Sequence, residues 1–357
     1  MNEFTVNLER LQAAVAASDF DAVVLTSPEN CFFVTGVDAE CMVLVSADDA
    51  VFATDFRYAE AAARVLGEMK QEMTSVSHPY TAIVNDFIAQ HAVRTLAFEG
   101  SLSYAAYARA KTDYHAELVE CGDLLHDLRR IKQPFELKRL IAAQEITGAV
   151  FTEMLGVIRA GVSEKELALE LYNRLLRHGA QGLSFSSIVV SGENGSLCHG
   201  VPGDRVVGKG EFVTLDFGCK VGGYCSDMTR TVAVGTPSDT MREVYDIVLR
   251  AQNAALACAK PGVVGRDLDA VARKIISDAG YGDAFGHGLG HGLGILCHDT
   301  DGASPRNTRT LPEGTVTTIE PGIYLAGRFG VRIEDVAVLH DGGCTDITHS
   351  PKELIVL

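Results

Sequence analysis

Four acidic residues lie inside apolar, strand-like runs, and this placement constrains the fold of the 357-residue chain more than any other feature. Two of them, Asp216 and Asp227, belong to neighbouring runs joined by a glycine-rich turn. A hairpin paired about Val221 and Gly222 would place the two carboxylates opposite each other, with Cβ atoms about 5 Å apart. Like charges in such positions repel unless a positive charge lies between them. Taken alone, either aspartate could instead be an ordinary turn or exposed residue.

A second hairpin repeats this arrangement nearer the end of the chain. Pairing about Gly327 places Glu320 opposite Glu334, and Glu320 lies within the hydrophobic run 316–323. Burying a carboxylate without a partner costs several kcal/mol. Two hairpins that each carry facing carboxylates among apolar neighbours therefore indicate a common site with a positive occupant.

A glycine-rich run between the two hairpins presents three histidines, namely His287, His291 and His298. Its five glycines permit close backbone approach. A single histidine is usually structural or exposed, but three beside two carboxylate hairpins favour a functional group. Four carboxylates and one imidazole suit two divalent ions; oxygen-rich ligation favours Mn²⁺, with Co²⁺, Zn²⁺ or Fe²⁺ as alternatives. Two such ions about 3.5–4 Å apart can lower the pKa of a shared water and supply hydroxide to a carbonyl.

Composition excludes several other classes of protein. The chain has 31 basic and 47 acidic residues, a net charge of −16, which argues against nucleic acid or an anionic membrane as a partner. No apolar run of about 18 residues and no signal-peptide pattern is present, so we expect a cytoplasmic protein. Nine scattered cysteines without a Cys-x-x-Cys spacing predict free thiols rather than a disulfide framework or a thiolate zinc site.

The pattern of the chain predicts two domains. Residues 1–125 alternate between helical and strand-like segments and contain no cluster of reactive side chains, which indicates an α/β domain. The character changes between Leu125 and Pro134, where we expect Pro134 to end a basic helical segment. Residues 126–357 predict an α+β domain in which helices cover a curved, mainly antiparallel sheet. Ser163 and Glu166 form a capping box at the start of one of these helices.

The ordered acidic and histidine motifs resemble those of the dinuclear metallopeptidases with the pita-bread fold. The resemblance is greatest to the Xaa-Pro peptidases, aminopeptidase P and prolidase, rather than to methionine aminopeptidase. Residues 1–125 resemble the creatinase-type N-terminal domain of that family, particularly at 30–36 and 54–58. The motifs are Leu-Asp-Phe-Gly, Ser-Asp-Met-Thr-Arg, Gly-His-Gly-Leu-Gly, Ile-Glu-Pro-Gly and Arg-Ile-Glu-Asp.

The resemblance implies five metal ligands, which are Asp216, Asp227, His291, Glu320 and Glu334. Asp227 and Glu334 would bridge the two ions. Asp216 would complete one site, and His291 with Glu320 would complete the other.

The resemblance also implies roles in catalysis for residues around the ligands. Glu320 would serve as the general base, and His199 would contact the scissile bond. His287 and His298 would bind substrate and stabilise the tetrahedral intermediate, and Arg332 would hold the nearby bridging carboxylate. For His199 and Arg332 a purely structural role is the alternative.

The expected reaction is removal of the residue that precedes proline from the N-terminus of a peptide. A dipeptidase needs a cation to clamp the free C-terminal carboxylate. Prolidase-like relatives commonly carry Pro-Arg shortly after a His-Glu pair, whereas His298-Asp299 is followed here by Thr-Asp-Gly-Ala, and no arginine occurs before Arg306. We read glycine and alanine at these positions as room for a longer peptide, which favours an Xaa-Pro aminopeptidase, although Arg306 or Arg309 could reach into the site of a prolidase.

Other functions remain open on this fold. Creatinase shares the fold and acts without metal, a non-catalytic binding module would be expected to lose ligands, and a non-peptidase metal hydrolase could use the same scaffold. Peptides with proline at the second position are the expected partners. Because family members are commonly homodimers and the N-terminal domain lacks chemistry of its own, we also expect a homodimer.

Overall fold

The computed structural model describes residues 2–357, which form two compact units, residues 2–129 and 130–357. The division lies inside a helix, Leu124–Arg130, a few residues beyond the boundary that the sequence suggests. No helix among residues 2–357 is long and apolar enough to cross a membrane.

The first unit is an α/β domain built on a six-stranded mixed sheet of order β4-β3-β2-β1-β5-β6. Strand β2 pairs with β1 and with β3, and both pairs are antiparallel. The pairs β3–β4, β1–β5 and β5–β6 are parallel. The strands are β1 (Ala22–Leu25), β2 (Cys41–Ser46), β3 (Ala50–Thr54), β4 (Lys70–Met73), β5 (Thr95–Phe98) and β6 (Glu117–Glu120). The helices are α1 (Thr5–Ala16), α2 (Pro28–Thr35), α3 (Phe56–Leu66), α4 (Tyr80–Gln90), α5 (Tyr104–Asp113) and α6 (Leu124–Arg130).

The second unit is an α+β domain in which helices cover antiparallel strand pairs. Its helices are α7 (Pro134–Met154), α8 (Glu164–Arg177), α9 (Asp239–Cys258) and α10 (Gly265–Asp278). Its strands are β7 (Gly182–Leu183), β8 (Ile188–Ser191), β9 (Glu211–Phe217), β10 (Cys219–Val221), β11 (Tyr224–Cys225), β12 (Met228–Val234), β13 (Val316–Ile319), β14 (Gly322–Leu325), β15 (Phe329–Arg332), β16 (Asp335–His340) and β17 (Gly343–Asp346).

Two helix starts show how local sequence fixes these elements. Ser163 and Glu166 form the predicted capping box at the start of α8. Pro134 was expected to end a helical segment, but it is also the first residue of the next helix, α7. Proline is suited to that position, since the amide hydrogen that it lacks would have no partner there.

The helices α7–α8 and α9–α10 each cover one face of the strands, and the opposite strand faces are left for the site. Val213, Leu215 and Phe217 of β9 pack with α7 and α8 in one core. Ile319, Val331 and other residues of the later strands pack with α9 and α10 in another core. Because successive side chains alternate between the two faces of a strand, even-numbered residues such as Asp216 lie on the face turned away from the α7–α8 core.

The first carboxylate hairpin has a register two residues away from the predicted one. Asp216 pairs with Thr229 rather than with Asp227, and the turn is formed by Gly222 and Gly223, both with positive φ. Type I′ turns require positive φ at two consecutive positions, which glycine adopts without strain, and this fixes the register. An even shift keeps every side chain on its face. Asp216 and Asp227 therefore remain on one face as diagonal neighbours.

The second carboxylate hairpin has the predicted register about Gly327. Gly322 pairs with Arg332 in β14 and β15, and Ile319 pairs with Asp335 in β13 and β16. Glu320 and Glu334 lie between these two ladder segments.

Candidate metal centre

The nine side chains singled out in the sequence line one cavity of about 800 Å³ in the second unit. They come from separate strands, loops and the glycine-rich run, and the strand registers described above bring the acidic ones together. The nine are His199, Asp216, Asp227, His287, His291, His298, Glu320, Arg332 and Glu334.

The carboxylates of Asp216, Asp227 and Glu334 are buried and that of Glu320 is partly buried, and polar neighbours hold them. Thr229 Oγ1 donates to Glu334 Oε2 at 2.7 Å, and Thr318 Oγ1 donates to Glu320 Oε1 at 3.1 Å. Asp216 Oδ2 accepts from the Arg332 guanidinium. Asp216 Oδ1 and Asp227 Oδ1 are buried and have no hydrogen-bond partner within residues 2–357, so both atoms are available to a cation.

His291 is oriented towards the carboxylates. Its Nε2 lies 3.5 Å from Asp227 Oδ2 and 3.4 Å from Glu320 Oε1, while Nδ1–H donates to the carbonyl of Gly292. Burial alone would lower the pKa of His291, but the hydrogen bond with Asp227 and the charge of Glu320 raise this pKa to about 9. A carbonyl on Nδ1 leaves Nε2 as the ligand atom, as in most protein metal sites.

Burial and the neighbouring negative charges raise the pKa values of three of the carboxylates. Burial raises the pKa of Glu320 to about 7, although the positive charges of His291 and Arg332 oppose the shift. Burial and the nearby Asp227 charge raise the pKa of Asp216 to about 6, against the effect of Arg332. Burial and the surrounding acids also raise the pKa of Glu334 well above its usual range. Cations between these groups would relieve the repulsion.

This donor set fits divalent cations. Ligand atoms of Asp227, His291 and Glu334 lie within 4.8 Å of one another. With Asp216 and Glu320 these residues offer carboxylate and imidazole ligands, and the buried Oδ1 atoms lack any other partner. When two divalent ions are bound by such a set, they lower the pKa of a water molecule and polarise a carbonyl group.

Arg332 does not contact the carboxylate that the sequence assigned to it. Its guanidinium pairs directly with Asp216, and its Nε donates to Thr229 Oγ1 at 3.0 Å. The connection to Glu334 runs through the Thr229 hydroxyl. Thr229 lies between Arg332 and Glu334, because its hydroxyl accepts from the first and donates to the second.

His287 is the end of a hydrogen-bonded chain. Arg332 Nη1 donates to Tyr324 Oη at 2.7 Å, and Tyr324 Oη lies 2.9 Å from His287 Nε2. Since His287 Nδ1–H donates to the Gly288 carbonyl, Nε2 accepts the tyrosine proton. Burial lowers the pKa of His287 to about 4, in keeping with a neutral ring. A direct contact of His287 with substrate requires its bond with Tyr324 to be broken.

His199 and His298 are the exposed histidines of the cavity. The His298 ring lies 4.0 Å from the His291 ring, measured between centroids. Burial and the charge of His291 lower the pKa of His298. Both rings are therefore accessible to a molecule that enters the cavity.

Sequence reasoning missed four polar residues of the site, namely Thr229, Cys297, Thr318 and Tyr324. The alternation of strand residues was a usable signal for two of them, because Thr318 and Tyr324 share the parity of Glu320. Thr229 was missed because the predicted register paired Asp216 with Asp227. Cys297 lies in a loop, where no periodic pattern applies; its Sγ lies 3.1 Å from Asp227 Oδ2.

Comparisons with known proteins identify relatives over the full length of the chain. A profile of Metallopeptidase family M24 matches residues 138–341, and one of the Creatinase/Prolidase N-terminal domain matches residues 7–131. The Xaa-Pro dipeptidase of Pyrococcus furiosus is 33% identical, covering 98% of this chain and 99% of the relative.

Solved structures of similar proteins have the same fold. The Xaa-Pro dipeptidase from Bacillus anthracis has a TM-score of 0.95 and 39% identity, covering 99% of this chain and 100% of that one. The X-Pro aminopeptidase from Thermotoga maritima has a TM-score of 0.91 and 34% identity, covering 98% and 100%. The predicted fold class, a pita-bread domain after a creatinase-type N-terminal domain, is confirmed.

Proposed function

Because the chain belongs to metallopeptidase family M24 and carries a creatinase/prolidase-type N-terminal domain, we propose that it hydrolyses the peptide bond that precedes proline. The proposal rests on one observation above all, the gathering of four carboxylates, three of them buried, and His291 in a single cavity. Asp216, Asp227, His291, Glu320 and Glu334 are the proposed ligands of two divalent ions. We favour Mn²⁺ because four of the five are oxygen ligands.

The proposed roles of the other residues follow from their positions. Glu320 accepts a proton from the attacking water, and Thr318 fixes one of its oxygens. His199 and His298 are exposed in the cavity and can donate to the carbonyl oxygen as its negative charge grows. Arg332 positions Asp216 directly and Glu334 through Thr229. Tyr324 positions His287.

We further propose that the substrate is a peptide longer than a dipeptide. Arg332 is the one arginine among the cavity-lining residues of the described chain, and it is engaged by Asp216, Thr229 and Tyr324. Arg309 Nη1 lies 3.4 Å from Asp301 Oδ2, and Arg306 is exposed and does not line the cavity. None of these three arginines is therefore placed to bind the free C-terminal carboxylate of a dipeptide.

The sequence argument for a longer peptide was wrong at Ala303 and Asp299, although Gly302 does line the cavity. A Cβ atom at Gly302 would lie 2.4 Å from the Cα of His291, so glycine is required there by backbone packing. Ala303 is fully buried in the core rather than open to substrate. Asp299 does not face substrate either, because its carboxylate pairs with the buried Lys132 ammonium at 3.3 Å.

Xaa-Pro dipeptidase activity is the second candidate. It is favoured by the names of two similar proteins, the enzymes from Pyrococcus furiosus and Bacillus anthracis.

The two candidates are separated by comparing hydrolysis of Xaa-Pro with that of Xaa-Pro-Xaa-Xaa by chelator-stripped protein supplied with Mn²⁺. Cleavage of the longer peptide with release of its first residue is expected. If only the dipeptide is cut, the protein is a dipeptidase. If neither is cut with Mn²⁺ or Co²⁺, the proposed reaction is wrong.

A further inference from the structure

Cys297 places a soft ligand beside the carboxylate centre. One potential ligand atom from each of Cys297, His291 and His298 lies within 4.8 Å of the other two. The Cys297 thiol donates to Asp227 Oδ2, and the other oxygen of Asp227 is buried without a hydrogen-bond partner. The thiol and two imidazoles thus surround one edge of a buried acid.

We propose that Cys297, His291 and His298 form a second binding site, overlapping the first at His291, for one thiophilic divalent ion such as Zn²⁺ or Cd²⁺. Thiolate and imidazole select such ions, whereas Mn²⁺ prefers oxygen ligands. A set of three sulfur and nitrogen ligands with an open fourth position is a common arrangement for zinc. Hard ions therefore bind the carboxylates, and thiophilic ions bind the Cys297 group.

The two sites compete because they share His291. Its Nδ1–H donates to the Gly292 carbonyl, so Nε2 is the atom available to either site. An ion bound by Cys297 and His298 draws His291 away from Asp227 and Glu320, to which Nε2 is now close. Binding forms a sulfur–metal bond in place of the thiol S–H bond, and the proton leaves to solvent. The expected consequence is inhibition by thiophilic ions.

Cys198 provides a matched control. It also lines the cavity, is half-buried, and precedes a cavity histidine, His199, as Cys297 precedes His298. Within residues 2–357 it belongs to neither of the three-residue groups that could hold an ion. Replacing Cys198 therefore changes a cavity thiol without removing a proposed ligand.

The test is a titration of the Mn²⁺-loaded full-length protein with Cd²⁺, followed by thiolate-to-Cd²⁺ charge-transfer absorption in the near ultraviolet. We expect the wild type and Cys198→Ser to show the same saturable band at one equivalent of Cd²⁺, and Cys297→Ser to lack it. Cys297→Ala and His298→Gln serve if the serine variant does not fold, and each should lose or weaken the band. An undiminished band in the Cys297 variants, or its loss in Cys198→Ser alone, would overturn the proposal.

Inhibition provides a second readout, and only this readout rests on the proposed peptidase function. Each variant is compared with its own activity in Mn²⁺ alone. The Cd²⁺ concentration that halves activity should rise about tenfold or more in Cys297→Ser relative to both wild type and Cys198→Ser, because a ligand is lost. If inhibition is unchanged while the band disappears, the sharing of His291 is wrong. If no peptidase activity is found, the absorption titration still decides whether the site exists.

Discussion

Thr229 links a cation of the protein to a proposed metal ligand, so its hydroxyl is expected to tune the centre. Thr229 Oγ1 accepts from Arg332 Nε at 3.0 Å and donates to Glu334 Oε2 at 2.7 Å. Thr229→Val keeps the shape but removes both bonds. Groups that orient metal ligands typically contribute 10–100-fold in metal affinity or activity, and we expect a loss of about that size. Calorimetric titration with Mn²⁺ and measurement of kcat would test it.

Thr231 is the natural control for this substitution. It lies two residues further along the same strand face, and its hydroxyl contacts Thr214 and the backbone carbonyl of Arg332 rather than a carboxylate. Thr231→Val is expected to leave Mn²⁺ affinity within about threefold of wild type, since no proposed ligand loses a hydrogen bond. Equal losses in the two variants would show that β12 rather than the Thr229 hydroxyl is responsible.

How well single site residues could be predicted depended on the strength of their sequence pattern. Carboxylates within apolar runs, such as Asp216 and Glu320, are conspicuous because burial of a charge requires an explanation. Threonine and tyrosine are ordinary strand residues, so Thr229 and Tyr324 gave no such signal. The contact of Arg332 with Asp216 depends on the spatial meeting of two hairpins, which no local pattern specifies.

The glycine-rich run is shaped by close approach to a neighbouring strand. A Cβ atom at Gly290 would lie 1.9 Å from the carbonyl oxygen of Thr318, whereas one at Gly286 would meet nothing within 4 Å. Gly290→Ala should therefore push the run away from β13 and cost about 1–3 kcal/mol or more, as overpacking usually does. Thermal unfolding should show a melting temperature several degrees lower for Gly290→Ala, with little change for Gly286→Ala. A Gly290→Ala protein as stable as wild type would mean that the loop moves at no cost.

Elements were predictable where they are buried and less so at the edges of sheets. The apolar runs of β1, β2, β3 and β5 indicate strands in the sequence, whereas no strand is predicted at β4 or β6. Those two strands form the two edges of the first sheet, five of their eight residues are polar, and none of the eight is buried. The predicted register of the first hairpin was two residues away from the observed one, because the turn was centred on Val221 and Gly222 instead of on Gly222 and Gly223. The side-chain face survived because the error was even.

The β16–β17 ladder carries two neighbouring acids, the buried Asp335 and the partly buried Asp346, which make stability depend on pH. Burial and the charge of Asp335 raise the pKa of Asp346 to about 6, although Lys352 opposes the shift. Because this folded-state pKa exceeds the unfolded value of 3.8, the stabilising contribution of protonated Asp346 is present at low pH and is lost as pH rises through about 6. Asp346→Asn imitates the neutral acid, and its Oδ1 can still accept from the Thr348 amide.

The melting temperature of Asp346→Asn relative to wild type should therefore increase between pH 4.5 and pH 7.5. Thermal unfolding of both proteins across this range measures the difference. A difference that stays constant with pH would contradict the assignment to Asp346.

Metal binding should couple the site to the stability of the second unit. The native cluster holds four carboxylates together, three of them buried, so ions that bind only the folded state stabilise it, by about 2.7 kcal/mol at a concentration 100 times Kd. Elemental analysis of Mn²⁺-saturated protein is expected to find two ions per chain, and EDTA should lower the melting temperature. Glu334→Gln should reduce both effects, whereas the same change at the exposed Glu313 should not. One ion per chain at saturation would contradict a dinuclear centre.

Exposed apolar side chains of the first unit are consistent with the expected homodimer. Phe56, Met73 and Val76 are exposed, Phe56 by 79%. Met73 is the last residue of β4, and Phe56 and Val76 follow the carboxyl ends of the adjacent strands β3 and β4 at one edge of the first sheet. Exposed apolar groups of this kind often mark contacts between proteins. We expect light scattering to give twice the chain mass of 38.2 kDa at micromolar concentration. Phe56→Ser combined with Val76→Ser should shift the population towards monomer, whereas Tyr104→Ser, at an exposed position after β5, should not. A wild-type protein that is strictly monomeric would refute the expected homodimer, and a dimer unaffected by the double substitution would place its interface elsewhere.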